Sequence, residues 1–264
     1  MYDFAYHKPT SIADAVKILS ADPDAKAVSG GHTLLPALKH RLNRPSALVD
    51  LSGIAELRGI RREGDTIVIG AMTRHVEVAT DATIAAAIPA LSRMAGTIGD
   101  TQVRNRGTMG GSLANNDPAA DYPAAVLALG GTLVTNTRQI AADAFFQGMF
   151  TTALEAGELL VAIRLPVPVT CGYAKMKNPA SRYSMAGVFV AKGPAGIRVA
   201  VNGAGPGVFR VAAMEQALAA NWSAEAVAGI AIPADDLNSD IHASAEYRAH
   251  LVTVMAKRAV ADAG

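Results

Sequence analysis

Two glycine-rich stretches carry most of the chemistry that this sequence offers. The first is Val28-Ser29-Gly30-Gly31-His32-Thr33-Leu34-Leu35-Pro36. Paired glycines reach backbone torsions closed to other residues and let the main chain approach a ligand closely. Consecutive N–H groups there, joined by the Ser29 and Thr33 hydroxyls, can converge on a phosphate. An ordinary strand–turn–helix corner would use the same residues. The stretch is neither a Walker A loop, since no Gly-Lys-Ser/Thr follows, nor a GxGxxG fingerprint.

The second stretch, Thr97 to Asp121, reads TIGDTQVRNRGTMGGSLANNDPAAD. Its glycine turns, hydroxyls, amides and two late carboxylates, Asp117 and Asp121, suit a large polar ligand lying along it. Backbone N–H groups would face phosphate and the acids ribose or ribityl hydroxyls. It is expected to be a polar loop, and a loop of this length inside a compact domain is usually functional. Within it Gly110-x-Ser112-x-Ala114 imitates a nucleophile elbow. That motif needs a buried strand before it and a helix after it, whereas Arg104-Asn105-Arg106 precedes and Asn-Asn-Asp-Pro follows.

Two further segments are weaker. Asn202-Gly203-Ala204-Gly205-Pro206-Gly207 spells GxGxG with a proline inside and lacks an acid about 20 residues on, so it reads as a structural connection. Tyr173 to Ser184 gathers lysines and tyrosines between two strand candidates. Ligands favour domain interfaces, so Lys175, Lys177 and Tyr183 can cover a ligand from a second domain, or else belong to an exposed hairpin.

Composition narrows the chemistry further. The chain has 264 residues, 50% hydrophobic and 18% charged, enough for one large domain or two smaller ones with a real core. A net charge of +1 leaves no electrostatic footprint for nucleic acid or anionic lipid. The single cysteine, Cys171, forms no internal disulfide, ligates no iron–sulfur cluster and builds no cysteine zinc site. The six histidines show no metal-ligand spacing. The opening MYDFAYHKPTSIADAV has no apolar signal core, so a cytoplasmic location is expected. Redox or hydrolytic work therefore falls to an organic cofactor or to plain side chains.

The elements that must position these residues are legible in outline. Helical spacing predicts a helix over 10–20, capped by Thr10 or Ser11, and another over 34–41. Strands are expected at 26–29, 47–51, 66–71, 132–136 and 158–165. The helical stretch 81–94 should split at Pro89, and 123–129 returns to helix. Pro166-Val167-Pro168-Val169 is the boundary candidate. Beyond it, strands at 172–177, 185–191 and 197–201 and helices at 211–220, 224–229 and 245–261 suggest a small α+β domain with an antiparallel sheet.

SGGHTLLP at 29–36, the stretch 97–121, GELLVAIRLP at 157–166, YAKMKNPASRY at 173–183 and GAGPGVFRVAAMEQAL at 203–218 occur in this order. Together they resemble the FAD-binding medium subunit of molybdenum hydroxylases, the group of xanthine dehydrogenase, carbon monoxide dehydrogenase and aldehyde oxidoreductases. The resemblance spans nearly the whole chain. It implies an α+β fold: a two-subdomain FAD-binding domain of the vanillyl-alcohol-oxidase (PCMH) type over 1–166, with subdomains of about 1–55 and 56–166. A flavoprotein C-terminal domain with an antiparallel sheet and helices follows over 167–264.

By resemblance, Val28, Ser29, Gly30, Gly31, His32, Thr33, Leu34 and Leu35, with Thr108, Gly110, Gly111 and Ser112, form the pyrophosphate cradle. Ile98 and Gly99 line the flavin side, and Asp121 binds ribityl or ribose hydroxyls. Leu165 packs near the cofactor, Lys175 reaches it from the C-terminal domain and Tyr183 lies over the isoalloxazine. Two positions depart from the pattern: Asp100 stands where an uncharged residue is common, and Ser112 where asparagine is frequent. The resemblance further implies electron transfer from a partner's cluster through FAD to an external acceptor, with no catalytic side chain and no metal in this chain. [2Fe-2S] clusters and a molybdopterin-type molybdenum cofactor would reside in a small and a large partner subunit, in a dimer of heterotrimers. A stand-alone flavin reductase of the same fold and a non-redox nucleotide-binding assembly module are the competing readings.

Overall fold

The structure is a computed structural model that describes all 264 residues. The first fifty residues alternate strand and helix. Strands Ala5–His7, Lys26–Val28 and Ala47–Asp50 form a parallel sheet with Ala47–Asp50 in the middle. The helix Ile12–Ala21 starts where Ser11 accepts the Asp14 N–H through its hydroxyl, and turns Ala15 with Ile12, Val16 and Leu19 into a small core. The next helix spans Leu34–Lys39 and ends before Arg41, which takes a left-handed torsion.

A second sheet of five antiparallel strands runs in the order Ile60–Glu63, Thr66–Gly70, Leu160–Pro166, Thr132–Thr135, Gln139–Ala141. Its central strand therefore comes from far along the chain. In that strand Leu160, Ile163 and Leu165 all face the main core, because a bulge between Leu160 and Ala162 resets the alternation. Between the halves of this sheet lie short helices. The expected break at Pro89 is present, with Ala82–Ala87 ending at Ile88 and Pro89 opening the helix Pro89–Gly96.

The stretch 97–121 differs from the polar loop expected of it. It folds into two short helices, Thr101–Arg106 and Met109–Asn115. Asp100 and Thr108 are their N-caps, accepting the N–H groups of Val103 and Gly111. Met109 and Leu113, one helical turn apart, are buried and anchor the second. Polar residues that look like loop composition thus serve as caps.

Past Pro166, strands Thr170–Lys177, Ser184–Gly193, Gly196–Asn202 and Phe209–Arg210 form an antiparallel sheet in sequence order. Period-two alternation divides it. Val188, Val190, Val199 and Val201 face the long helix Ala245–Asp262 through Leu251, Met255 and Ala259, while Cys171, Phe189, Ala191 and Ala200 join the core of the preceding domain. The proline segment interrupts the chain but not the packing.

Candidate functional site

A cleft of about 720 Å³ runs between the three-stranded subdomain, the helices of 97–121 and the hairpin that joins Thr170–Lys177 to Ser184–Gly193. That size lies within the ~300–1,000 Å³ typical of ligand sites. Strand Lys26–Val28 delivers the chain to the first glycine turn, where Gly31 has φ +75°. No main-chain carbonyl accepts the N–H groups of Ser29, Gly30, Gly31, His32 or Thr33. These five part-exposed N–H groups line the cleft, and such a row of free main-chain donors is a ready site for anionic oxygens.

The second turn behaves differently. Its N–H groups are engaged within the fold: Met109 donates to Thr73 O, Gly110 to Ala71 O, Gly111 to Thr108 Oγ1 and Ser112 to Thr108 O. Thr108 Oγ1 also donates to Ser29 Oγ at 3.1 Å. This turn therefore fixes the position of the first and adds the Ser112 side of the wall, while the first supplies the donors.

At the other end Asp121 is buried and heavily engaged. Lys175 Nζ lies 2.6 Å from one carboxylate oxygen, and Tyr173 donates its hydroxyl to the other at 2.6 Å. Asn202 Nδ2 is 3.4 Å from that second oxygen. Burial, then the Asp121 charge, holds the Tyr173 hydroxyl well above its ordinary pKa. In the hairpin, Arg182 donates to Gly99 O at 3.0 Å and sets half-exposed Tyr183 on the cleft wall. Burial, followed by Asp117 and Asp121, raises the Tyr183 hydroxyl pKa.

Fifteen of the expected residues line this one cleft: Val28, Ser29, Gly30, Gly31, His32, Thr33, Leu34, Ile98, Gly99, Thr108, Gly110, Gly111, Ser112, Asp121 and Tyr183. Lys175 meets it through Asp121. Two do not line it. Leu35 packs against Gly31 from within the helix Leu34–Lys39. Leu165 is fully buried in the core of the five-stranded sheet, and Leu160, at the start of the same strand, is the leucine that reaches the cleft. Residues not anticipated are His75, Phe150 and Glu158 on the wall, and Tyr173 and Asn202 around Asp121. Tyr173 stands in the segment singled out for its tyrosines, Asn202 opens the glycine segment that reads as a structural connection, and Glu158 lies in GELLVAIRLP; His75 and Phe150 sit in elements with no motif of their own.

His75 carries a pH signature. It is buried at the start of the helix His75–Thr80, its Nδ1 has no partner, and burial, then His32 and Arg104, lowers its pKa to about 4. Below the unfolded value of about 6.5 the unfolded chain takes up a proton that the folded chain refuses. Stability should therefore fall as pH drops from about 6.5 to 4, by roughly 3 kcal/mol in all. Urea titrations across that range should show the loss in the wild type and its absence in His75→Gln; parallel curves would refute the assignment.

The walls fit a dinucleotide with a planar ring. Free N–H donors at one end suit phosphates, and Ile98, Leu160 and Tyr183 offer apolar and aromatic surface for a ring. Residues 2–168 match the family model described as "FAD binding domain in molybdopterin dehydrogenase", and residues 175–263 match "CO dehydrogenase flavoprotein C-terminal domain". The chain belongs to the FAD-binding medium subunits of the molybdopterin dehydrogenases.

This medium subunit is 37% identical to the carbon monoxide dehydrogenase medium chain of Hydrogenophaga pseudoflava, over 97% of this chain and 96% of that one. It is 35% identical to the nicotine 6-hydroxylase medium subunit of Paenarthrobacter nicotinovorans, over 98% and 96%. Among solved structures, carbon monoxide dehydrogenase from Hydrogenophaga pseudoflava superposes with a TM-score of 0.88 at 36% identity, covering 99% of this flavoprotein and 97% of that chain. Quinoline 2-oxidoreductase from Pseudomonas putida 86 gives 0.89 at 30% identity, covering 99% and 97%. The mixed α+β FAD-binding domain and the C-terminal domain with its antiparallel sheet are those of this family. No helix of the flavoprotein is long and apolar enough to cross a membrane.

Proposed function

We propose that this subunit carries one FAD in the cleft, takes electrons from an iron–sulfur cluster in a partner chain and releases them to an external acceptor. The observation that carries the reading is the row of five N–H groups from Ser29 to Thr33 without main-chain acceptors, opening on a cleft of dinucleotide size in a chain of this family. FAD supplies the redox chemistry when bound, and the protein sets its position and surroundings.

On this reading the Ser29–Thr33 N–H groups bind the pyrophosphate, with Thr108, Gly110, Gly111 and Ser112 closing the opposite side. Asp121, steadied by Lys175 and Tyr173, accepts hydrogen bonds from sugar or ribityl hydroxyls. Ile98, Gly99 and Tyr183 flank the ring, and Leu160 takes the place that sequence gave to Leu165. Residues 1–166 form the FAD-binding domain in two subdomains that divide near residue 55, and residues 167–264 form the C-terminal domain, which reaches back through Lys175 and Tyr183. Cys171 is alone and buried, and burial raises its thiol pKa; the clusters and the molybdenum cofactor then belong to a small and a large subunit, in a dimer of heterotrimers. Relatives named as medium chains of carbon monoxide dehydrogenase support that assignment.

Stopped-flow mixing tests it. The FAD-loaded chain alone should show no flavin bleaching with aldehydes, purines, N-heterocycles or carbon monoxide, whereas the reconstituted complex should bleach with its own reducing substrate. Rapid bleaching of the lone chain would overturn the electron path, and a colourless chain that takes up no FAD would overturn the cofactor assignment.

A further inference from the structure

Phe150 stands at the tip of the hairpin between the short strands Phe146–Gly148 and Thr151–Thr152. Its φ is +53°, in the left-handed region that a bulky side chain rarely enters. Burial of the ring does not offset this cost, because Phe150 is 58% exposed and lines the cleft. Strain of this kind, of order 1–3 kcal/mol, persists where surrounding structure imposes it and clusters at ligand clamps.

Asn116 imposes it here. This buried residue ends the helix Met109–Asn115 with φ +45°. Its Nδ2 donates to Gly148 O and Thr151 O, both at 2.8 Å, and its carbonyl accepts the Phe150 N–H at 3.1 Å. The turn is thus bracketed on both sides of the phenyl ring. The same helix starts at Thr108, the residue that meets Ser29 beside the free N–H row. Its seven residues rise about 10 Å, so phosphate end and Phe150 are held apart by one rigid element. Tyr183, the cleft's other exposed aromatic, shares the cleft with Phe150 and with Asp117, the residue next to Asn116.

We propose that Phe150 packs against the ring system at the flavin end of bound FAD, and that Asn116 is its positioning residue. The proposal rests on the reading of the cleft as the FAD site. Flavin-stripped full-length chain is titrated with FAD and separately with ADP, which occupies the phosphate end only. F150A should still bind one FAD, about tenfold more weakly, as expected for the loss of one aromatic contact. Its ADP affinity should equal that of the wild type, and its bound flavin should become accessible to iodide quenching. F150W should restore both flavin readouts. N116G, which keeps the left-handed torsion without the amide, should expose the flavin with Phe150 still present. F150L preserves apolar bulk at the tip and gives the same comparison should alanine destabilise the hairpin. Wild-type FAD affinity and iodide protection in F150A and F150L would overturn the proposal, as would an ADP affinity that falls in step with that for FAD. If the wild type binds neither FAD nor ADP, the reading of the cleft fails first.

Discussion

Replacing Gly30 by alanine should lower FAD affinity by about a hundredfold, the effect of forcing 1–3 kcal/mol of overpacking into the site. A Cβ at this position would lie 2.3 Å from Arg106 O and 2.7 Å from Gly107 Cα. Both are main-chain atoms, so no side chain can swing aside and the two glycine turns must part. Their separation would also break the Thr108–Ser29 contact that aligns the N–H row. Gly31 is constrained differently. Its φ of +75° penalises any side chain, while the Cβ would meet only the movable end of Leu35, at 2.8 Å. His32→Ala leaves every N–H in place. FAD content per purified chain should therefore rank His32→Ala above Gly31→Val, with Gly30→Ala retaining little, at unchanged far-UV circular dichroism. Equal content in all three variants would remove the phosphate assignment from this turn.

That ranking shows what the sequence makes legible and what it does not. The pairing of SGGHT with TMGGS is visible because glycines at a strand-to-helix corner have few other uses, and the structure brings both turns to one cleft. Which turn donates is invisible in one dimension. Both contain two glycines, yet the N–H groups of Met109 and Gly110 are taken by Thr73 and Ala71, residues nearly forty positions earlier. Leu165, expected near the cofactor, does not line the cleft. The strand itself is expected, but position along it in the fold decides which leucine reaches the cleft: Leu160 opens the strand beside the cleft, whereas Leu165, on the same face, is enclosed by the core. The helices in 97–121 were hidden because Asp100 and Thr108 cap them with side chains that composition counts as loop. Asn116 and Phe150 gave no signal, since their contact spans 34 residues and depends on two left-handed torsions.

Lys175→Met should destabilise the protein by about 3–5 kcal/mol, the range for leaving one member of a buried ion pair without its partner. The Lys175 and Asp121 side chains are only 6% and 5% exposed and meet at 2.6 Å. Tyr173 and Asn202 would still donate to the carboxylate, but neither neutralises its charge. Asp121→Asn in the Lys175→Met background should recover most of the loss, because a neutral amide can keep hydrogen bonds from both neighbours. The single Asp121→Asn variant, with a buried lysine now unpaired, should be less stable than the double. Urea titration of the four proteins gives the coupling directly. The pair joins the strand Thr170–Lys177 to the segment that follows Met109–Asn115, so it ties the C-terminal sheet to the cleft wall across the proline segment. FAD affinity separates stability from binding: the double variant should fold well yet bind FAD more weakly than wild type, because the carboxylate has gone. A loss below about 1 kcal/mol for Lys175→Met, the value of a solvated surface pair, would mean that water reaches Asp121 and that other contacts hold the two domains together.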